Sequence, residues 1–358
     1  MAVPTHTIRV KDATIQDVAR AACVSVTSVS NYLNGRYNHL CLETRERIGQ
    51  SIKELNYSPS RVARQLKTGH TPMVGVLTPS IVSPYHSELA LAIDEAAQRR
   101  GFRPVLGNSH RDAKREKAFI DELVGYGVRG FIVTTELRNQ QIMRDYLKRG
   151  IAFVLFDMLQ SDLKVEGIDV VSADNILATS NAVDHLVSLG HRSIVYVTPP
   201  CLSASRKARR YGFESAIEKH RLGKPIVIDK DSDSSADHSD SKLAFFGQRI
   251  AERLLHITPR PTAVVTMNDI VAIGVLAGLH KLGLNVPVDM SLVGIDDIQL
   301  SALVVPTMTT SRPDYQKMAE SAVDCLQSRL VNPASPGREC LFAPDLIIRG
   351  SSATSGQA

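Results

Sequence analysis

Residues 14–33 read TIQDVARAACVSVTSVSNYL, and after a short loop residues 43–66 read ETRERIGQSIKELNYSPSRVARQL. Thr14 has the side chain of an N-cap, and Asp17 stands three residues on, where a capping-box acid reaches back to the cap's own N–H. Ile15, Val18, Ala19 and Ala22 follow the i, i+3, i+4, i+7 rule of one buried helix face. Ser25 then caps a second short helix, Val26 to Leu33, which is rich in small polar residues. A third helix, roughly Glu43 to Asn56, sets Ile48, Ile52 and Leu55 on one face. Three short helices with a tight turn between the first two predict a helix-turn-helix.

Charge gives this stretch a partner. The chain holds 42 basic and 37 acidic residues. Residues 1–71 hold ten and five of them, so the remaining 32 of each sign cancel. The whole excess lies in the small N-terminal segment, which points to a polyanion such as DNA. At 358 residues the chain suggests two or three domains. No run of about 18 apolar residues predicts a membrane span. The first residues, MAVPTHTIRVKDATIQ, lack the apolar core of a secretory signal, so the expected compartment is the cytoplasm. Cys23, Cys41, Cys201, Cys325 and Cys340 are scattered without CxxC spacing. Neither a disulfide framework nor a zinc site is expected.

From Met73 the pattern changes. Short apolar runs recur as VGVL (74–77), PVLG (104–107), GFIV (130–133), AFVLF (152–156), SIVYV (193–197), TAVVT (262–266) and SLVGI (291–295). Helical stretches lie between them, such as Glu88–Arg100, Glu116–Val124, Ile176–Leu189 and Ile270–Leu282. Continuous apolar strands joined by helices indicate buried parallel sheets, an α/β architecture. About 285 residues exceed one comfortable sheet, so two doubly wound subdomains with a cleft between them are expected. Residues 229–242, DKDSDSSADHSDSK, read as an exposed acidic loop rather than a metal site. The first strand is followed by no G-x-G-x-x-G, and neither a nucleophile elbow nor HExxH occurs, so no enzyme, metal or cofactor is expected.

Several phrases carry a wider likeness: His185-Leu186, Leu189-Gly190-His191-Arg192, Arg209-x-x-Gly212-Phe213, Asn268-Asp269, Gly294-x-Asp296-Asp297 and Pro306-x-Met308-Thr309-Thr310. With the N-terminal motif and SPSRVARQL in this order, the chain resembles the lactose/galactose repressor family of bacterial transcription regulators from Thr14 to about Ser352. The resemblance implies an N-terminal three-helix helix-turn-helix domain and a periplasmic-binding-protein-like core of two doubly wound parallel-sheet subdomains. It places a flexible arm at 1–13, the DNA-binding domain at 14–58, a hinge helix and linker at 59–71, the core at 72–352 and a tail at 353–358. Within the core, one subdomain would take about 72–170 and 314–340, the other about 171–313 and 341–352.

The resemblance also assigns roles. Val26, Thr27 and Asn31 stand where the family faces bases, with Thr14, Ser25, Ser28, Ser30, Asn34 and Tyr57 placed for the backbone of the DNA. Ala63 and Leu66 belong to a hinge that folds on the operator, Leu66 wedging into the minor groove beside its symmetry mate. Tyr85, His86, Asp157, Arg209, Asn268 and Asp296 match or border effector positions, and their carboxylate, amide and guanidinium groups suit a sugar or nucleoside. The implied protein is a ligand-responsive regulator, most often a repressor, that binds a palindromic operator as a homodimer or a tetramer. A small-molecule-binding protein of the periplasmic type without a DNA role is the alternative; it would need a signal peptide and has no use for the basic first segment. Three features depart from the family pattern. Cys23 occupies the inter-helix turn, where Gly or Asn is common, the Arg36–Leu42 loop is one residue longer, and Pro313 replaces a pocket Gln.

Overall fold

A computed structural model describes residues 13–58, 71–135, 140–158, 163, 165–200, 203–230 and 240–356. The expected arm apart from its last residue, the hinge helix with Ala63 and Leu66, and most of the acidic 229–242 stretch lie outside the described residues. The chain divides into two units, 1–71 and 72–358.

In the first unit, α1 (Ile15–Ala21) begins at a reciprocal capping box. The Asp17 N–H donates to Thr14 Oγ1 at 3.3 Å, and the Thr14 N–H donates to Asp17 Oδ2 at 2.9 Å. α2 (Val26–Leu33) begins where the Ser28 N–H donates to Ser25 Oγ at 3.1 Å. With α3 (Leu42–Glu54) they enclose a small core of Val18, Ala19, Ala22, Val29, Leu40 and Ile48. Leu55 departs from the expected apolar face: α3 ends at Glu54, so Leu55 is its cap and stays 36% exposed, while Tyr57 packs on the core. The long Arg36–Leu42 loop is pinned by Arg45, which donates to the carbonyls of Tyr37 and Leu40 and lies over the Tyr37 ring.

The turn between α1 and α2 shows why its sequence matters. The Cys23 N–H donates to the Arg20 carbonyl and the Val24 N–H to the Ala19 carbonyl, the paired bonds that close a helix with a left-handed residue. Cys23 is that residue, at φ 53°. A side chain there is strained where glycine is not. Cys23→Gly should therefore stabilise the first unit by about 0.5–1 kcal/mol, read as a raised denaturant midpoint of its own transition. An unchanged or lowered midpoint would show that the turn tolerates Cβ without cost.

The second unit is built on two sheets. Among the described residues the first contains β1 (Met73–Thr78), β2 (Arg103–Asn108), β3 (Gly130–Val133), β4 (Ala152–Phe156), β5 (Asp169–Ala173) and β11 (Glu339–Phe342), in the order β11-β5-β4-β3-β1-β2. The second contains β6 (Ile194–Val197), β7 (Ile226–Ile228), β8 (Ala263–Thr266), β9 (Ser291–Ile295), β10 (Thr309–Arg312) and β12 (Asp345–Ile347), in the order β12-β10-β9-β8-β6-β7. Every pairing is parallel except β10 with β12. Helices cover the faces, so the central strands are buried on both sides.

The chain passes between the sheets three times: after β5, after β10 and after β11. The first and third passages fall slightly beyond the expected divisions at 170 and 340, because residues 169–171 pair with β4 and residues 170–173 pair with all of Glu339–Phe342. A buried carboxylate hides β5 from an apolar count. Asp169 is 0% exposed and accepts from Arg329 Nε and Nη2, each at 2.9 Å, and from the Arg338 N–H at 2.9 Å. Burial works to raise its pKa, but these donors hold it below the ordinary carboxylate value. The pair ties α11 (Tyr315–Val331), which follows the second passage, to the sheet it returns to.

Candidate functional site

The first candidate is the outer face of α2. The helix holds no charged residue, and Val29 turns into the core at 0% exposure. Thr27, Asn31 and Asn34 at i, i+4 and i+7 share the opposite side. Val26 is 43% exposed, Thr27 is exposed, and Ser28, Ser30 and Asn31 are partly so. Short side chains let this helix backbone come close to a groove, and the Asn31 amide can pair with a base edge. Several of the hydroxyls and amides also have local duties. Thr14 and Ser25 cap helices, and Asn34 Nδ2 donates to the Ser30 carbonyl at 2.7 Å. These bonds fix the rotamers that would meet a phosphate. Tyr57 is partly exposed at the end of α3, its phenol pushed above its ordinary pKa by burial.

The second candidate is a cavity of about 160 Å³ between the two sheets of the core. It lies beyond the carboxyl ends of the strands, where open α/β sheets bind ligands. Asp157 follows β4, Asn268 follows β8 and Asp296 follows β9; Tyr85 and His86 open α4 (Pro84–Arg99) after β1. Arg209 sits in the second turn of α8 (Ala204–Lys219) after β6. All six line the cavity.

Arg209 organises this side. Its Nε donates to Asn175 Oδ1 at 2.7 Å, its Nη1 to the Met267 carbonyl at 2.7 Å, and its Nη2 to Asp296 Oδ1 at 2.9 Å. Burial disfavours its charge, but Asp296 and then Asp157 outweigh that and keep it protonated. Asn175 is the first residue of α7 (Asn175–Ser188), so one guanidinium joins a helix start and two strand ends. Opposite, the Tyr85 hydroxyl donates to Asp157 Oδ2 at 2.6 Å, while Asp157 Oδ1 is buried with no hydrogen-bond partner among the described residues. A buried acceptor left alone costs roughly 1–3 kcal/mol, so this oxygen is primed for a ligand hydroxyl. Both aspartates have positive φ, 54° at Asp157 and 112° at Asp296. Such backbone strain collects at binding sites. Asn268 spends its Oδ1 capping α10 (Asp269–Lys281) through the Val271 N–H at 3.0 Å, which leaves its amide nitrogen for a ligand.

Other groups escaped the sequence reading. Tyr315, at the start of α11, donates to the Asp296 carbonyl at 2.6 Å and meets the Tyr85 ring edge-to-face at 5.8 Å. With Glu88 accepting from the Gln299 N–H at 3.2 Å, it bridges the subdomains. Asn175, Arg111 and Arg206 were also missed. Buried Asp269 accepts from Thr310, Ser301 and the Ile298 N–H beneath Asp296, yet burial and Asp296 push it up to about 8 despite those donors. Among the described residues no cluster of His, Cys, Asp and Glu could hold a metal ion, and no helix is long and apolar enough to cross a membrane.

Both regions are matched by known proteins. Residues 14–60 match the bacterial regulatory proteins of the lacI family, and residues 183–352 match a periplasmic binding protein-like domain. The chain is 30% identical over 344 residues to the HTH-type transcriptional repressor PurR of Escherichia coli O1:K1, covering 95% of this chain and 96% of that protein. Among solved structures it resembles the lac repressor dimer bound to operator and the anti-inducer ONPF, at 27% identity and a TM-score of 0.81, over 96% of this chain and 100% of that one. It also resembles a LacI family transcriptional regulator from Enterococcus faecium with bound ribose, at 26% identity and a TM-score of 0.67, over 79% and 99% of the two chains.

Proposed function

Because the chain belongs to the lacI family of bacterial regulatory proteins, we propose that it is a cytoplasmic homodimer that represses transcription from a palindromic operator and responds to a sugar or nucleoside. It is a DNA-binding transcriptional regulator with an effector-binding type of core, not an enzyme. The match at residues 14–60 removes the alternative of a binding protein without a DNA role.

The observation that carries the proposal is the pairing, in one chain, of an uncharged capped helix in a basic unit with a cavity where Asp157, Arg209, Asn268 and Asp296 converge. Val26, Thr27 and Asn31 read bases; Ser25, Ser28, Ser30, Asn34, Tyr57 and Thr14 hold phosphates and set the register. Ala63 and Leu66 belong to a hinge that orders on DNA, with Leu66 wedged between base pairs. In the core, Asp157 and Asn268 meet ligand hydroxyls while Arg209 and Asp296 hold the site's shape. Ligand binding favours one arrangement of the subdomains, and the spacing of the two hinges in the dimer follows. The ribose held by the Enterococcus faecium regulator makes sugars a natural first class to test.

An operator selected from a random duplex pool tests the DNA half. Asn31→Ala should weaken binding by about 1–3 kcal/mol and relax selection at one base pair per half-site. Removal of residues 1–71 should abolish specific binding. Specific affinity that survives this removal would refute the assignment of the reader.

A further inference from the structure

The six expected cavity residues account for only part of its lining. Arg111 and Arg206 also line it, one from each subdomain. Arg111 belongs to the turn after β2, where His110 and Arg111 both have positive φ, 52° and 59°, and where the Arg111 N–H donates to Ser109 Oγ at 3.1 Å. Two successive side-chain-bearing residues in this region make a strained turn, which holds Arg111 at the cleft. Arg206 stands in the first turn of α8, one turn before Arg209, with its N–H on the Ser203 cap at 3.3 Å. Ser203 and Ser205, whose hydroxyls are 3.2 Å apart, line the cavity beside it. The amino-terminal end of this 16-residue helix adds its own positive potential.

A buried polar side chain belongs to the same group. His86 lines the cavity, and its Nδ1 is buried with no hydrogen-bond partner among the described residues. Burial, and then Arg111 and Arg206, drive its pKa down to about 3, so the ring is neutral and one nitrogen can donate. It stands at the start of α4, whose cap residue Ser83 makes no side-chain capping bond. By contrast, the charges acting on Tyr85 are Asp157, Asp296 and Arg209. The cavity thus has two differently charged parts. One is the carboxylate-bearing set around Arg209. The other gathers two guanidiniums, a neutral imidazole, two serine hydroxyls and a helix amino terminus.

We infer that the ligand is a small polyhydroxylated molecule carrying an anionic group, a phosphate or a carboxylate, which Arg111 and Arg206 hold from opposite sides of the cleft. This rests on the reading of the cavity as the effector site. A carboxylate or phosphate is the ligand group whose charge and paired oxygens best match guanidinium forks. Hydroxyls on the rest of the molecule reach Asp157 Oδ1 and the Asn268 amide. Because the two arginines belong to different subdomains, the anion also bridges them, and so its binding favours the closed arrangement.

Thermal unfolding and calorimetry on the full chain test this with matched probes: glucose, glucose 6-phosphate and glucuronate; ribose and ribose 5-phosphate; a nucleoside and its monophosphate; and inorganic phosphate. At least one phosphorylated or carboxylated probe should raise the melting temperature at a concentration where its neutral counterpart does not. The phosphate and uronate arms show which anion is preferred. Arg111→Gln and Arg206→Gln, which remove the charge but keep a polar end, should each weaken that probe about 10- to 100-fold. Binding of a neutral probe as tight as its anionic partner, anionic binding unchanged in both variants, or no shift with any anionic probe would overturn the proposal. Arg209→Ala separates the two readings. If a neutral ligand binds and Arg209→Ala removes it, the cavity stands and the anion falls; if Arg209→Ala leaves ligand binding intact, the cavity itself is wrong.

Discussion

Gly212→Val is expected to destabilise the core by about 3 kcal/mol or more and to weaken ligand binding with it. A Cβ at Gly212 would lie 2.3 Å from the Ile176 carbonyl oxygen and 2.9 Å from Ile176 Cα. Both are backbone atoms of α7, so no rotamer change relieves the clash, and α8 must move outward. Arg209 is one turn before Gly212 on α8, and its 2.7 Å bond to Asn175 ends on the residue next to Ile176. The glycine therefore sets the distance across which the guanidinium works. Thermal unfolding should show a fall of roughly 6–12 °C, taking 2–4 °C per kcal/mol for a unit of this size. Gly212→Ala should show the same defect at a smaller scale. A Gly212→Val protein that melts within a degree of the parent would mean that the helices do not touch here.

Arg209→Ala should cost about 3–5 kcal/mol, because it strands the buried Asp296 carboxylate, and should abolish the ligand response. Arg209→Lys is not expected to rescue the response. The three acceptors belong to Asn175, Met267 and Asp296, and one ammonium cannot reach them in the plane that a guanidinium spans. A double variant, Arg209→Met with Asp296→Asn, separates the two effects. It should recover much of the stability by removing both charges, yet remain unresponsive to ligand. A double variant that recovers both would show that Arg209 acts on the fold alone.

The short-range features were legible in the sequence. A capping box needs only Thr14 and Asp17, and a buried helix face only the spacing of Val18, Ala19 and Ala22, so the first unit could be read from local pattern. The apolar strands from VGVL to SLVGI were visible because parallel strands covered on both faces show no polar alternation. Strands that contain polar residues escaped: DVVSA, whose Asp169 is satisfied by Arg329 from 160 positions away, and TTSR, whose Thr310 is held by Asp269. Their partners are remote, and no local window contains them. The cavity divides in the same way. Asp157, Asn268 and Asp296 follow apolar strands, and Arg209, Asn268 and Asp296 carry familiar phrases, whereas Arg111 and Arg206 lie in a turn and a basic helix whose sequences carry no such signal. Only the fold brings them to one space.

The three passages between the sheets also constrain how the protein can be made. The three helices of the first unit, Ile15–Ala21, Val26–Leu33 and Leu42–Glu54, are complete once residue 58 has left the ribosome, and their core is built from nearby residues. Neither sheet of the core can be completed then, because β11 and β12 form the outer edges and α11 supplies Met318, Ala319, Ala322, Val323 and Leu326 to the first sheet's core. At roughly 5–20 residues per second, the core waits tens of seconds for its last strands. A message broken before codon 339 therefore yields a folded reader joined to sheets with exposed edges, a product fit for proteolysis. Only translation to the end delivers a reader with its switch attached.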